Sequence, residues 1–298
     1  MPPTSDPTRA ADGAGRLARE LRAVALRHPA TRQATGVHAI YRSAGGGLLA
    51  SGLSYSALFA LVPTLALVAV GLFLLVDDRT LRDDALRVAV DAFPALKDVA
   101  APAIDGAIRH AALGSVVALI GFAWAASGMY LNLTRAMEQF FPGERVSSAL
   151  ARALGVVLVV LLIVGVLGAV TVAGFVTVVA GALSVDAELL LALASLAITL
   201  AIASALSYGC YRLLPAAPPT AAAAWLPALL VGLAIGLLTL CYGLLSPWLV
   251  SGYQAFGVMA SVFVALVWLR LVFIAITYGA AMARFRDRAG ARADGTAG

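Results

Sequence analysis

Lysine is all but missing from this chain: among 298 residues, Lys97 stands alone beside twenty Arg. Charge of either sign is scarce as well, at 12 % of residues, about half the share found in ordinary soluble domains. Cysteine occurs twice, as Cys210 and Cys241, in or at the end of apolar stretches, so no disulfide framework is expected. Histidine occurs three times, as His28, His38 and His110, never at metal-ligand spacing from a Cys or a carboxylate, and no metal site follows. No glycine-rich loop leads into Lys-Ser/Thr, which excludes a P-loop and direct use of ATP. The triplet Gly45-Gly46-Gly47 reads instead as a hinge at the entry to a membrane. A Gly-x-Ser-x-Gly elbow is missing too. Neither catalytic residues nor a cofactor are expected, and the chain is not read as an enzyme. The first 45 residues hold no continuous apolar core, so no secretory signal is read there.

Apolar residues fill the space that charge leaves, at 61 % of the chain. They gather in six long stretches, at 46–76, 111–131, 153–183, 188–214, 225–250 and 255–283. A bilayer core about 30 Å thick needs about 20 apolar residues in a helix, and each stretch is long enough. The fold class expected is all-α, a polytopic membrane protein of six transmembrane helices. Residues 1–45 form an N-terminal tail, partly disordered or a surface helix, residues 46–284 the membrane domain, and residues 285–298 a C-terminal tail.

The scarce charges orient the spans, because short cytoplasmic loops carry an excess of Lys and Arg. One side of the membrane receives fifteen Arg: seven in the N-terminal tail, Arg135, Arg145, Arg152 and Arg212 in loops, and four in the C-terminal tail. The opposite side receives five basic residues, all in the segment 77–110 among seven Asp. Both termini are therefore expected in the cytoplasm, and the Arg-rich, Ala-rich composition suggests a bacterial inner membrane. The basic tail is interleaved with Ala and Leu, so its expected partners are anionic headgroups of membrane lipids rather than nucleic acid.

Within the outer segment 77–110, Leu81, Ala85, Val88, Ala89 and Phe93 recur at helical spacing. After Pro94 the pattern restarts with Leu96, Val99, Ala100, Ile104, Ala107 and Ile108. Two amphipathic helices, an outer hairpin between the first two spans, are expected either flat on the leaflet or capping the bundle. Pro63 lies inside the first span, where it marks a simple kink or a broken helix lining a cavity. The third span carries Gly165, Gly168 and Gly174, and the fifth Gly232-x-x-x-Gly236, the spacing of tight helix pairs in membranes. That spacing supports helix packing; a homo-oligomer stays open. Residues 215–220, rich in Pro, form a stiff inner turn.

Arg270 stands apart, flanked by Trp268, Leu269, Leu271 and Val272 near the middle of the sixth span. A charge at that depth costs at least about 2.5–3.5 kcal/mol and normally faces the bundle interior or a wet cavity. The apolar middles of the spans hold no Asp or Glu to pair with it. Neutral partners are at hand in Tyr55, Ser127, Thr199, Ser204, Ser207, Tyr208, Thr239 and Tyr242. Arg270 either snorkels or makes a structural hydrogen bond, or it recognises an anion, together with Tyr55, Ser127, Tyr208 and Tyr242, through the planar fork that suits phosphate and carboxylate.

Three stretches carry a resemblance. The first is Leu53-Ser-Tyr-Ser-Ala-Leu-Phe-Ala-Leu-Val-Pro63; the second is Trp124-Ala-Ala-Ser-Gly-Met129 followed by Leu133, Ala136 and Met137; the third joins Tyr211-Arg-Leu-Leu-Pro215 to Gly252-Tyr-Gln-Ala-Phe-Gly257 and Val267-Trp-Leu269. In this order they resemble the YihY/BrkB family of bacterial inner-membrane proteins over about residues 35–285. The resemblance implies six helices with both ends cytoplasmic. It also implies a transporter with suspected links to envelope lipid export, beside an old ribonuclease label regarded as a misassignment. It brings no agreed catalytic residues. The chain departs from the family where Gly279-Ala-Ala-Met282 replaces a Gly-Ala-Glu-Leu end, and where Arg270 replaces an uncharged residue. Both departures put ion coupling and substrate in question. A flippase-like transporter for an amphipathic, anionic envelope molecule is one reading of function. A scaffold partnering envelope machinery is the other. The nuclease label finds neither a metal cluster nor an acid/base pair in the sequence.

Overall fold

The structure is a computed structural model that describes residues 29–75, 111–143, 187–252, 258–293 and 295. The third apolar stretch, most of its outer connection with Asp186, and the outer segment 77–110 lie outside the described residues. Among the described residues there are six helices and no strand: α1 Pro29–Ser43, α2 Gly46–Leu75, α3 Ala111–Phe140, α4 Ala187–Leu213, α5 Ala221–Gly252 and α6 Val258–Ala293.

Helix starts and stops follow local chemistry. Pro29 opens α1, where its missing N–H costs nothing. Gly45, at φ 68°, takes the left-handed conformation that ends α1. Its carbonyl then accepts from Leu48 and Leu49 and starts α2, so the glycine triplet is a turn between two helices. In the same way the Thr220 carbonyl accepts from Ala223 and Ala224 to start α5. The Asp287 carboxylate accepts from the Thr220 amide at 2.9 Å, and the Arg212 guanidinium donates to the Pro219 carbonyl. The proline-rich turn is thus tied to α4 on one side and α6 on the other.

Among the described residues, three helices have windows long and apolar enough to cross a membrane: Leu196–Leu213, Ala221–Tyr242 and Val262–Arg292. Only 28 %, 33 % and 33 % of these windows is buried inside the protein. Their remaining apolar surface faces outward on a scale that lipid accommodates and water does not.

Neighbouring helices pack in the order α4, α5, α6, α2, α3, with α1 laid along α6 and lighter contacts joining α3 to α4 and α6. Fully buried Ala50, Ala136, Ala224, Ala265, Ala280 and Ala281 mark the seams. Without a hydrophobic force between helices in lipid, small residues that admit close approach decide which faces meet. A Cβ at Gly232 would collide with the Ser204 hydroxyl and stand 2.8 Å from the Leu200 carbonyl, and one at Gly236 would stand 3.3 Å from Leu196. The Gly232/Gly236 spacing therefore serves the α4–α5 contact inside the chain. At the Arg-rich end, Phe140, Phe141, Met137 and Tyr211 form a solid core. Tyr211 donates to the Ile276 carbonyl at 2.7 Å.

Several boundaries differ from the sequence reading. α3 runs to Phe140 rather than 131, and α6 to Ala293 rather than ending near 284. The added part of α3 buries Leu133, Ala136, Met137 and Phe140, and the start of the added part of α6 is held by Phe285 against Gly36 and by Asp287 at Thr220, whereas residues 288–292 are exposed. α2 continues unbroken through Pro63, so a broken helix is not seen. Residues 29–43 of the N-terminal tail form α1, which packs on α6.

Candidate functional site

The α6 sequence has two faces in its first half. Ala265, Trp268, Leu269 and Phe273 are buried, while Phe263, Val267, Arg270 and Leu271 are exposed. The exposed positions recur at three- and four-residue steps, so they form one outward stripe. Continued along the helix, that stripe reaches Tyr278 and Phe285, and there α1 covers it. The Tyr41 ring stacks on Tyr278 with centroids 3.9 Å apart and planes 14° from parallel. His38 Nδ1 lies 2.8 Å from the Tyr278 hydroxyl. Gly36 lets the Phe285 ring come against the α1 backbone. The helices run antiparallel, and α1 gives way to the turn at Ala44–Gly45 before it can cover Arg270.

Tyr41 holds this corner together. Its ring lies over Gly46, where any Cβ would collide with it, and its hydroxyl is 3.6 Å from the place of a Cβ at Gly47. Burial raises the Tyr41 hydroxyl above its ordinary range and the neighbouring Tyr278 adds to this, while the Thr277 hydroxyl and the Arg270 charge pull the other way. Among the described residues no carboxylate pairs with Arg270.

Arg270 is exposed on α6, on the same stripe as Phe263, Val267 and Leu271. Trp268 and Leu269 fill the inward positions of the same turn, which leaves Arg270 rotated outward. The residues proposed to act with it sit on four other helices. Tyr55 of α2 is 59 % exposed, its ring 4.7 Å from that of Phe59. Ser127 of α3 is exposed and donates to the Ala123 carbonyl at 2.6 Å. Tyr208 of α4 is half-buried against the core. Tyr242 of α5 is half-buried, 6.3 Å from the Trp268 ring. Thr239 donates to the Ile235 carbonyl. Short hydroxyls in helices commonly donate to the preceding turn in this way. Ser207 is buried, Thr199 half-buried, and Ser204 is buried against Gly232.

The partners that matter here escaped the sequence reading. His38 and Tyr41 stand one helical turn apart before the glycine turn, a local signal for an aromatic face. Nothing in the sequence pairs that face with Tyr278. The motifs behind the family resemblance are core in part: Leu53, Ala57, Leu133, Ala136, Met137, Tyr211, Trp268 and Leu269 are buried, while Tyr55, Phe59 and Val267 are exposed. Trp124, in the same motifs, is 79 % exposed. The departure at Ala281 also falls on a fully buried position.

All-helical architecture with outward apolar surface on helices of spanning length makes this a helical membrane protein. A family model described as Virulence factor BrkB matches residues 38–297. The chain belongs to that family, the one its motifs resemble. No curated protein and no solved structure matches the chain.

Proposed function

We propose that the protein is an inner-membrane transporter, flippase-like in character, for an amphipathic and anionic envelope molecule such as a lipid. The observation that carries this reading is Arg270, an exposed cation on an apolar wall. Leaving such a charge in hydrocarbon costs about 2.5–3.5 kcal/mol or more, and a phosphate or carboxylate bound by its planar fork offsets that cost. Exposure on the outer wall favours a lateral path along α6 over a central channel. The solid core of Phe140, Phe141 and Tyr211 at the basic end favours it too.

The reading includes six spans, with 153–183 as the third, an outer hairpin over 77–110, and both termini in the cytoplasm of a bacterial cell. The fifteen-to-five bias of basic residues between the two sides supports that orientation. Reconstitution of the full chain into vesicles holding a fluorescent anionic lipid tests the function. Movement between leaflets should outpace that in protein-free vesicles, and equal rates would refute transport. The packed basic end also favours a second reading, a scaffold that binds envelope machinery. Copurification with one defined partner, beside an unchanged lipid profile in a deletion strain, would select it.

A further inference from the structure

We infer that the corner where α1 ends against α2 and α6 is a seat for the phosphate of an anionic phospholipid from the adjacent leaflet, gripped by Arg270 and steadied by the Tyr41 hydroxyl. The inference rests on the transport reading's view of this wall as the anion-recognising surface, and it names the ligand class and its position.

Depth is the first argument. The turn between α1 and α2 marks the passage from polar to apolar surface: Arg42 and Ser43 are exposed just before it, and Leu48 is 81 % exposed just after it. Arg270 lies eight residues along α6 from Tyr278, about 12 Å of helix. The Tyr41 side chain reaches toward Arg270 past Gly46 and Gly47, and an extended Arg side chain would span about half of that rise. Its guanidinium then stands near the polar boundary, where lipid phosphates are found.

Charge is the second argument. Arg270 has no carboxylate partner among the described residues, yet its field reaches the Tyr41 hydroxyl, which can donate to the same anion. The flanking surface is the third. Phe263, Val267 and Leu271 on α6, with Leu48 and Phe59 on α2, are exposed and suited to acyl chains. A free phosphate would gain nothing from such a wall, whereas a lipid brings its anion and its chains together.

The test uses the full chain in detergent, with phosphatidylglycerol, phosphatidylcholine and inorganic phosphate as probes, read by native mass spectrometry and melting temperature. The wild type should bind phosphatidylglycerol in preference to phosphatidylcholine. Arg270→Gln should bind it about tenfold more weakly, Arg270→Lys should fall between, and Tyr41→Phe should lose about threefold. Without lipid, Arg270→Gln should melt with the wild type, because the residue is exposed. Excess inorganic phosphate should leave the bound lipid in place. Equal phosphatidylglycerol affinity in the wild type and Arg270→Gln would overturn the seat, as would displacement of the lipid by inorganic phosphate. The first result beside active lipid movement in vesicles would sink the seat and leave transport standing. Binding through Arg270 without any movement would do the reverse.

Discussion

The ring of Tyr41 lies face to face with that of Tyr278, 3.9 Å away, and this pair is what fastens the N-terminal helix α1 to the last helix α6. The stack is continued by His38, whose ring centroid is 6.2 Å from that of Tyr278. Everything proposed for the Arg270 wall depends on where α1 stops, and Gly45 ends it one helical turn beyond Tyr41.

Tyr41→Ala should therefore release α1. Truncating a buried aromatic costs about 3–5 kcal/mol, and the lost stacking is part of that figure. Limited proteolysis should cut within 29–43 in the variant and spare it in the wild type. Tyr278→Phe keeps the ring and loses only the bond to His38, so it should cost about 1 kcal/mol and leave the cleavage pattern unchanged.

Alkaline pH should act on the same joint. The Tyr41 hydroxyl is raised above its ordinary value, chiefly by burial, so the folded state favours the neutral form. The stability this contributes is fully present below the unfolded value of about 10. It is lost as pH climbs through the higher folded value. Melting temperature in detergent should hold steady on this account up to about pH 10 and decline beyond it, with the decline reduced in Tyr41→Phe. An equal decline in both proteins would separate Tyr41 from the effect.

Gly279 and Tyr211 should prove coupled. A Cβ at Gly279 would collide with the Tyr211 hydroxyl and a Val231 methyl, so Gly279→Ala should cost about 1–3 kcal/mol by overpacking. Tyr211→Phe loses the bond to the Ile276 carbonyl, worth about 0.6–1.7 kcal/mol within a membrane bundle. It also frees space beside Gly279. The double variant should be less destabilised than the two single costs together, as measured by unfolding in mixed micelles; strict additivity would refute the shared contact.

The two glycines of α5 should differ sharply. At Gly232 the obstacle includes the Leu200 carbonyl at 2.8 Å, which is backbone and cannot turn aside. Gly232→Ala should cost about 1–3 kcal/mol. At Gly236 the neighbour is the flexible tip of Leu196 at 3.3 Å, and Gly236→Ala should change the melting temperature little. Comparable losses at both positions would argue for a further contact there, such as a second copy of the chain.

Much of the architecture was legible without coordinates. Spanning helices announce themselves because lipid demands about 20 apolar residues with every backbone group bonded internally. The first, fourth and fifth expected stretches agree with a described helix to within a few residues at both ends, and the helices over the second and sixth overrun theirs at the C-terminal end. The overruns of α3 and α6 fall where charged and polar residues interrupt the apolar runs, so a span count stops short of them, although Leu133, Ala136, Met137 and Phe140 keep helical spacing. The motif resemblance located the family, and the coordinates divide the motifs between buried core, such as Leu53, Met137 and Tyr211, and exposed surface, such as Tyr55, Phe59 and Trp124.

Arg270 shows the division most clearly. Composition and position along the chain are enough to establish that a lone cation lies within the sixth apolar stretch, since hydropathy is a property of consecutive residues. The direction in which it points is not such a property. It follows from which turns of α6 are taken up by α5, α2 and α1, and that choice is made by close contacts such as Gly279 against Tyr211 and Tyr41 over Gly46. Those contacts join residues remote in sequence through van der Waals fit, for which a one-dimensional pattern of apolar and polar residues carries no signal.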